Sequence, residues 1–224
     1  MIFHPSMVIL IPAVLLGFYA QYKVRNAYKK YSQVGNAKQI NGKDAAIFLL
    51  QQNGLTDVAV EEVPGELSDH YDPRDKTVRL SPGNYRGASL AAVSIAAHEV
   101  GHAIQHAKSY KPLEIRAAIL PVASIGSSLA FPLLLAGFFL QISSLVSIGI
   151  AFFAAAVIFQ VVTLPVEFDA SNRAMKQLAG YGMLSQDEVG GAKKVLNAAA
   201  MTYVAATIMA VSQLLQFLMM AGDE

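Results

Sequence analysis

"AAILPVASIGSSLAFPLLLAGFFLQISSLVSIGIAFFAAAVIFQVVTLPV", Ala117–Val166, is a run of 50 residues without one charged side chain. A membrane-spanning helix needs about 20 mostly apolar residues. The run therefore holds two spans, 117–140 and 145–166, and the polar "QISS", Gln141–Ser144, supplies the turn between them. Pro121 and Pro132 fall inside the first of the two, where neighbouring helices can satisfy the carbonyls that proline frees. A buried core helix of a soluble protein is the alternative. So long an uncharged run has no place in a chain of 224 residues folded as a soluble domain.

Two further apolar stretches flank this hairpin. One covers residues 1–22 and the other 197–221. The whole chain is 54% hydrophobic and 15% charged, with a mean hydropathy of +0.41, which is the composition of a membrane protein. Net charge is +1, so nothing points to nucleic acid. There is no cysteine, which removes disulfides and thiolate metal ligands. The first stretch is a poor secretory signal, because positive charge follows it in "KVRNAYKK", Lys23–Lys30, instead of preceding it.

All 17 lysines and arginines lie in Lys23–Arg116 and Arg173–Lys194. Four spans place those two stretches on the same side, and the positive-inside rule makes that side cytoplasmic, with both termini external. Span count and charge bias thus give one topology. The expected fold is a mainly α membrane protein with four transmembrane helices and a small α+β cytoplasmic domain, residues 23–116. A second cytoplasmic segment, 167–196, reads as a loop with a helix in it.

Within 23–116, "NGKDAAIFLLQQNG" (Asn41–Gly54) reads as an amphipathic helix closed by Asn53-Gly54, and Asp57–Val63 as a strand. "DHYDPRDKTVRLS" reads as a turn on Pro73–Asp75 followed by a strand, Thr77–Leu80. "ASLAAVSIAAHEVGHAIQHAKSY" reads as one long helix with Ser89 as its N-cap. "SQDE", Ser185–Glu188, matches a capping box opening a helix toward the last span.

The long helix carries three of the five histidines. His98 and His102 are four residues apart and share a helix face, and Glu99 adjoins the first. Two imidazoles one turn apart can grip one zinc ion, and the glutamate is close enough to take a proton from a water that the ion activates. The flanks "AAVSIAA" and "AI" are small and apolar, so these polar groups are buried, and a metal offsets the cost of burying them. The competing reading is a polar stripe with two solvated histidines. His106 is a poor third ligand. Its Cα lies about 12 Å along a straight helix from that of His98, and no glycine bends the chain between His102 and His106. It reads as a surface residue or as a support for a ligand.

A catalytic zinc usually has three protein ligands and an open position. Topology puts His4 on the wrong side. His70 is possible but lies in a turn-rich segment. Glu167, in "LPVEFDASNRA", follows the third span at once, and the hairpin of spans two and three returns the chain to the face that the histidine helix occupies. It is the best-placed carboxylate, with Asp169 its rival.

"HEVGHAIQH", "DHYDPRDKTVRLSPGNY" and "LPVEFDAS" together resemble the bacterial family of membrane-bound neutral zinc metallopeptidases, over nearly the whole chain. More distantly the chain is similar to the membrane heat-shock zinc endopeptidases and the CAAX prenyl proteases. In those, a later helix with E-[FY]-x-A-D supplies the third ligand. The resemblance implies a gluzincin-like zinc endopeptidase in the bacterial plasma membrane, one Zn2+ ion on His98, His102 and Glu167, and Glu99 as general base. Two departures stand out. Ser171 replaces the aspartate that orients a ligating histidine in the distant relatives. No histidine follows His106, so Arg173 and Tyr203 are the candidates for oxyanion stabilisation.

The expected activity is peptide-bond hydrolysis at the cytoplasmic membrane face, on membrane-proximal or unfolded protein segments. Thr77–Leu80 is expected to offer an edge for β-augmentation by an extended substrate. The rivals are a zinc hydrolase of a non-peptide membrane substrate and a non-catalytic adaptor whose zinc is structural, closed by His70 or Asp169. A channel or transporter is disfavoured, since no span carries an ionisable residue near its middle.

Overall fold

Glycine and alanine set how closely the long helices of this chain approach one another. The structure is a computed structural model describing residues 5–222. His4 and the acidic end of the "GDE" tail lie outside the described residues. A short 3-10 turn, Pro5–Ile9, leads into α1 (Leu10–Tyr31). There follow α2 (Gly42–Gln52), β1 (Ala59–Glu62), β2 (His70–Asp72), β3 (Thr77–Leu80) and α3 (Pro82–Arg86). The rest is α4 (Leu90–Ala107), α5 (Lys111–Leu140), α6 (Ser143–Gly180) and α7 (Gln186–Gly222). Four helices, Pro5–Tyr31, Lys111–Leu140, Ser143–Gly180 and Gln186–Gly222, are long and apolar enough to cross a membrane. The stretch read as a loop from Glu167 is almost all helix. α6 runs unbroken past Glu167 to Gly180, because "EFDASNRAMKQLAG" contains no breaker before its final glycine.

The chain divides into two compact units. The first gathers the N-terminal stretch to Gln21, Pro112–Pro165 and the chain from Thr202 on. Here α5 and α6 touch at glycines. A Cβ on Gly126 would sit 2.6 Å from the Phe152 carbonyl, and one on Gly149 would sit 2.8 Å from Leu134. Small residues at such crossings let apolar helices pack where lipid offers no hydrophobic drive. Phe131, Phe153 and Phe217 close the gap among three helices with edge-to-face rings 5.2–6.2 Å apart. The α5–α6 turn uses Gln141 at φ 56°.

The second unit comprises Tyr22–Lys111 and Val166–Met201. Asn41 caps α2 by accepting from the Asp44 N–H, and Gly54, at φ 72°, takes the chain out of it. Ser89 caps α4 in the same way through the Ala92 N–H at 3.1 Å. The Ser185 backbone N–H donates to Glu188 at the start of α7, as the capping box requires. The sheet has the order β1-β3-β2. β1 pairs with β3 in parallel, Ala59 opposite Thr77, and β2 pairs with it antiparallel, His70 opposite Arg79.

That order corrects the expectation for Thr77–Leu80. β3 is the central strand, hydrogen-bonded on both sides, with no edge to lend to a substrate. Val78 and Leu80 are fully buried against the helices. The free edges belong to β1 and β2. β2 itself was hidden in a segment read as a turn, since "HYD" is too short to show alternation.

α4 comes close to the α6 backbone at Gly101. A Cβ on Gly101 would lie 2.6 Å from the Ala170 carbonyl oxygen. Gly101→Ala therefore forces the two helices apart, at a cost of about 1–3 kcal/mol. Gly190 has no atom within 4 Å of such a Cβ, so Gly190→Ala is expected to gain about 0.5–1 kcal/mol from helix propensity. Unfolding midpoints in detergent should move in opposite directions for the two variants. A Gly101→Ala midpoint at or above wild type would show that the contact is not limiting.

Candidate metal centre

α4 is built to be buried. Ala91, Val93, Ala96, Ala97, Val100 and Ala103 pack into the core of the second unit, leaving His98 and His102 on the face turned to α6. Their rings lie edge to face, 4.8 Å apart between centroids. From α6, the Glu167 carboxylate, only 2% exposed, reaches both. Its Oε2 is 3.3 Å from His98 Nε2 and 3.6 Å from His102 Nε2. Donor atoms of the three residues all fall within 4.8 Å of one another. The Gly101–Ala170 contact is what lets side chains from two helices converge so tightly.

The far nitrogens of both rings are engaged. Gln105, fully buried one turn after His102, directs its Oε1 at His102 Nδ1, 3.0 Å away. The orientation of this amide is fixed by its other end, where Nε2 donates to the Val166 carbonyl and to Asp169 Oδ2, both at 2.8 Å. An amide oxygen only accepts, so His102 must donate from Nδ1. In the neutral ring Nε2 is then a lone pair aimed at a carboxylate oxygen. Ser171 Oγ lies 3.2 Å from His98 Nδ1 and can accept from it in the same way. Two lone pairs and a buried carboxylate facing one another repel unless a proton or a cation lies among them.

A tetrahedral zinc with bonds of about 2.0–2.1 Å sets neighbouring ligand atoms about 3.3 Å apart. The two separations from Glu167, 3.3 and 3.6 Å, are close to that edge, and all three donor atoms lie within 4.8 Å of one another. Two imidazole nitrogens and one carboxylate oxygen are also an established donor set for catalytic zinc. The residues fit the ion. Glu99 is 7% exposed on the same helix, and burial pushes its carboxyl up, against the lowering effect of His98 and His102.

The remaining candidates are elsewhere. His70 is exposed in β2, its Nδ1 2.8 Å from the Ser68 carbonyl. His106 pairs with the Tyr71 hydroxyl at 2.9 Å, a phenol pushed up to about 12 by its burial and by nearby aspartates. Asp169 accepts from Gln105 and from Arg173. Arg173 in turn lies over the Tyr110 ring, 5.6 Å from its centroid. Its charge is therefore already paired. Tyr203 belongs to the other unit.

Gln105 escaped the sequence reading, because a glutamine in an apolar helix looks like a surface residue. Its signal was spacing, since residue i+3 from a ligand shares the ligand's face. Asp69 was also missed. Its carboxylate accepts from the Ser81 N–H and hydroxyl and from Asn84 Nδ2 at 2.8–3.1 Å, which ties the segment before β2 to the start of α3.

Comparison with known proteins agrees with this chemistry. Residues 6–222 match the family described as "Putative neutral zinc metallopeptidase". The chain is 47% identical over 209 residues, 93% of each protein, to "Putative membrane protease YugP" of Bacillus subtilis (strain 168). No solved structure matches. The chain belongs to the neutral zinc metallopeptidase family, a family whose name implies zinc. Since groups that orient a ligating histidine typically set affinity by 10–100-fold, Gln105→Ala is expected to weaken zinc binding by about that factor. Competition against a chromophoric chelator reads this directly. An unchanged affinity would mean that His102 is held by packing alone.

Proposed function

We propose that this protein is a zinc-dependent endopeptidase of the bacterial plasma membrane that cleaves peptide bonds at the cytoplasmic face. One zinc ion is held by His98, His102 and Glu167, and Glu99 is the general base. The observation that carries this reading is the meeting of His98 and His102 with the buried Glu167 carboxylate, their donor atoms all within 4.8 Å of one another. When bound there, zinc supplies a Lewis acid for the scissile carbonyl and lowers the pKa of a water to about 7.

The chain's own groups do the rest. Gln105 holds His102 in the tautomer that leaves Nε2 bare, and Ser171 can accept from His98 Nδ1 and so orient that ring as well. Glu99, one residue from a ligand, takes a proton from the attacking water and delivers it to the leaving amine. The cytoplasmic assignment rests on the distribution of lysine and arginine about the four apolar helices. Membrane-proximal or unfolded protein segments are the substrates that such a location selects.

The structural-zinc reading needs a fourth protein ligand. Among the described residues the cluster of donor atoms within 4.8 Å of one another consists of His98, His102 and Glu167, and neither His70 nor Asp169 belongs to it. Three protein ligands are the number that a catalytic zinc usually has.

The test compares wild type with Glu99→Gln in detergent, reading zinc content and casein cleavage. Both proteins should hold about one zinc, and the variant should lose activity by about 10²–10⁴-fold. Loss of zinc from both would overturn the metal assignment. Equal cleavage by both would remove Glu99 from the mechanism.

A further inference from the structure

Away from the metal centre, the end of α1 and the start of α7 flank an open cavity of about 360 Å³. Three lysines, Lys23, Lys30 and Lys194, line it together with Asn26, Asn197 and the ring of Tyr31. Lys23, Asn26 and Lys30 recur at helical spacing along one face of α1, and Lys194 and Asn197 do so on α7. No acidic side chain is among the lining residues. Charge bias across a membrane explains why lysines lie at this level. It does not explain why residues from chain segments so far apart in sequence surround one concavity. An anion in this space meets three lysines and no carboxylate among the lining residues, which favours its binding.

The surroundings narrow the anion. Ala27, Ala198 and Met201 give the same cavity an apolar lining beside the lysines. Along α1 the apolar stretch gives way to charge at Lys23, and along α7 no charged residue occurs from Val195 to Gly222. Both helices thus change from charged to apolar at the cavity, which sets it at the level of phospholipid headgroups. Basic pockets between membrane helices are suited to anionic headgroups.

We propose that this cavity binds the phosphate of an anionic phospholipid, with the lysines and asparagine amides on the phosphate and the glycerol end against Ala27, Ala198 and Met201. The site is independent of the protease reading, so it is tested in the Glu99→Gln background, in which hydrolysis is not the readout.

Full-length protein in detergent is titrated with phosphatidylglycerol or with phosphatidylcholine of the same acyl chains, and bound lipid is read by native mass spectrometry. Phosphatidylglycerol should bind about tenfold more tightly. The double substitution Lys30→Gln and Lys194→Gln should abolish most of that preference. Lys193→Gln, next to the cavity but not lining it, should preserve it. Equal binding of the two lipids by the parent protein would overturn the proposal, whether or not the double variant folds. So would a folded double variant that keeps the preference. Inorganic phosphate is the third probe. If it displaces phosphatidylglycerol at millimolar concentration and binds comparably alone, the cavity is a site for free anions and the lipid assignment fails.

Discussion

Two imidazoles and a carboxylate, taken out of water and aimed at one another, make a repulsive arrangement that only a positive charge can relieve. Every nearby feature of the second unit keeps it from relaxing. Gln105 denies His102 the tautomer that would let its Nε2 donate to Glu167. Ser171, two residues past Asp169, meets His98 Nδ1 at 3.2 Å and orients that ring. The missing side chain of Gly101 lets the backbones of α4 and α6 approach closely beside the two histidines. Burial removes the water that would otherwise stabilise each group separately. Demand for a cation is thus a property of the packing as much as of the ligands.

The supports are arranged in tiers. Gln105 is held by the Val166 carbonyl and by Asp169. Asp169 is held by Arg173, and Arg173 rests on Tyr110. The Tyr110 N–H returns to the Gln105 carbonyl at 3.0 Å, closing the circuit. A substitution in this ring would reach the metal centre through one or two intermediates, without removing a ligand. Ser171 shows how such supports can vary. A hydroxyl accepts one hydrogen bond with no net charge, so it orients a histidine while adding less negative potential than a carboxylate would.

Much of this was readable from the chain because the deciding signals were local. The cap at Ser89, the helix that follows it, the capping box at Ser185 and the uncharged hairpin each depend on residues within one or two turns. Even the approach of Glu167 to the histidines follows from a short connection between two apolar helices. Strand order was not readable. Whether Thr77–Leu80 is central or at an edge depends on where β1 and the three residues of β2 lie in space, and neither sequence states it. The spacing of Gln105 from His102 put it on the right face but did not reveal its role. Its meaning comes from the α6 carbonyl and carboxylate that it meets, more than 60 residues further on.

His98 and Glu167 are 69 residues apart, and α5, the connecting turn and most of the apolar part of α6 lie between them. A chain emerging from the ribosome thus exposes both histidines well before it can present the carboxylate. The binding set cannot be complete until the hairpin has been made and put in place. Partial chains, or chains whose hairpin has failed to insert, carry the HExxH helix but lack the residue that finishes the cradle. With the proposed ligand set, zinc can be held in full only after the hairpin between its two halves has been made.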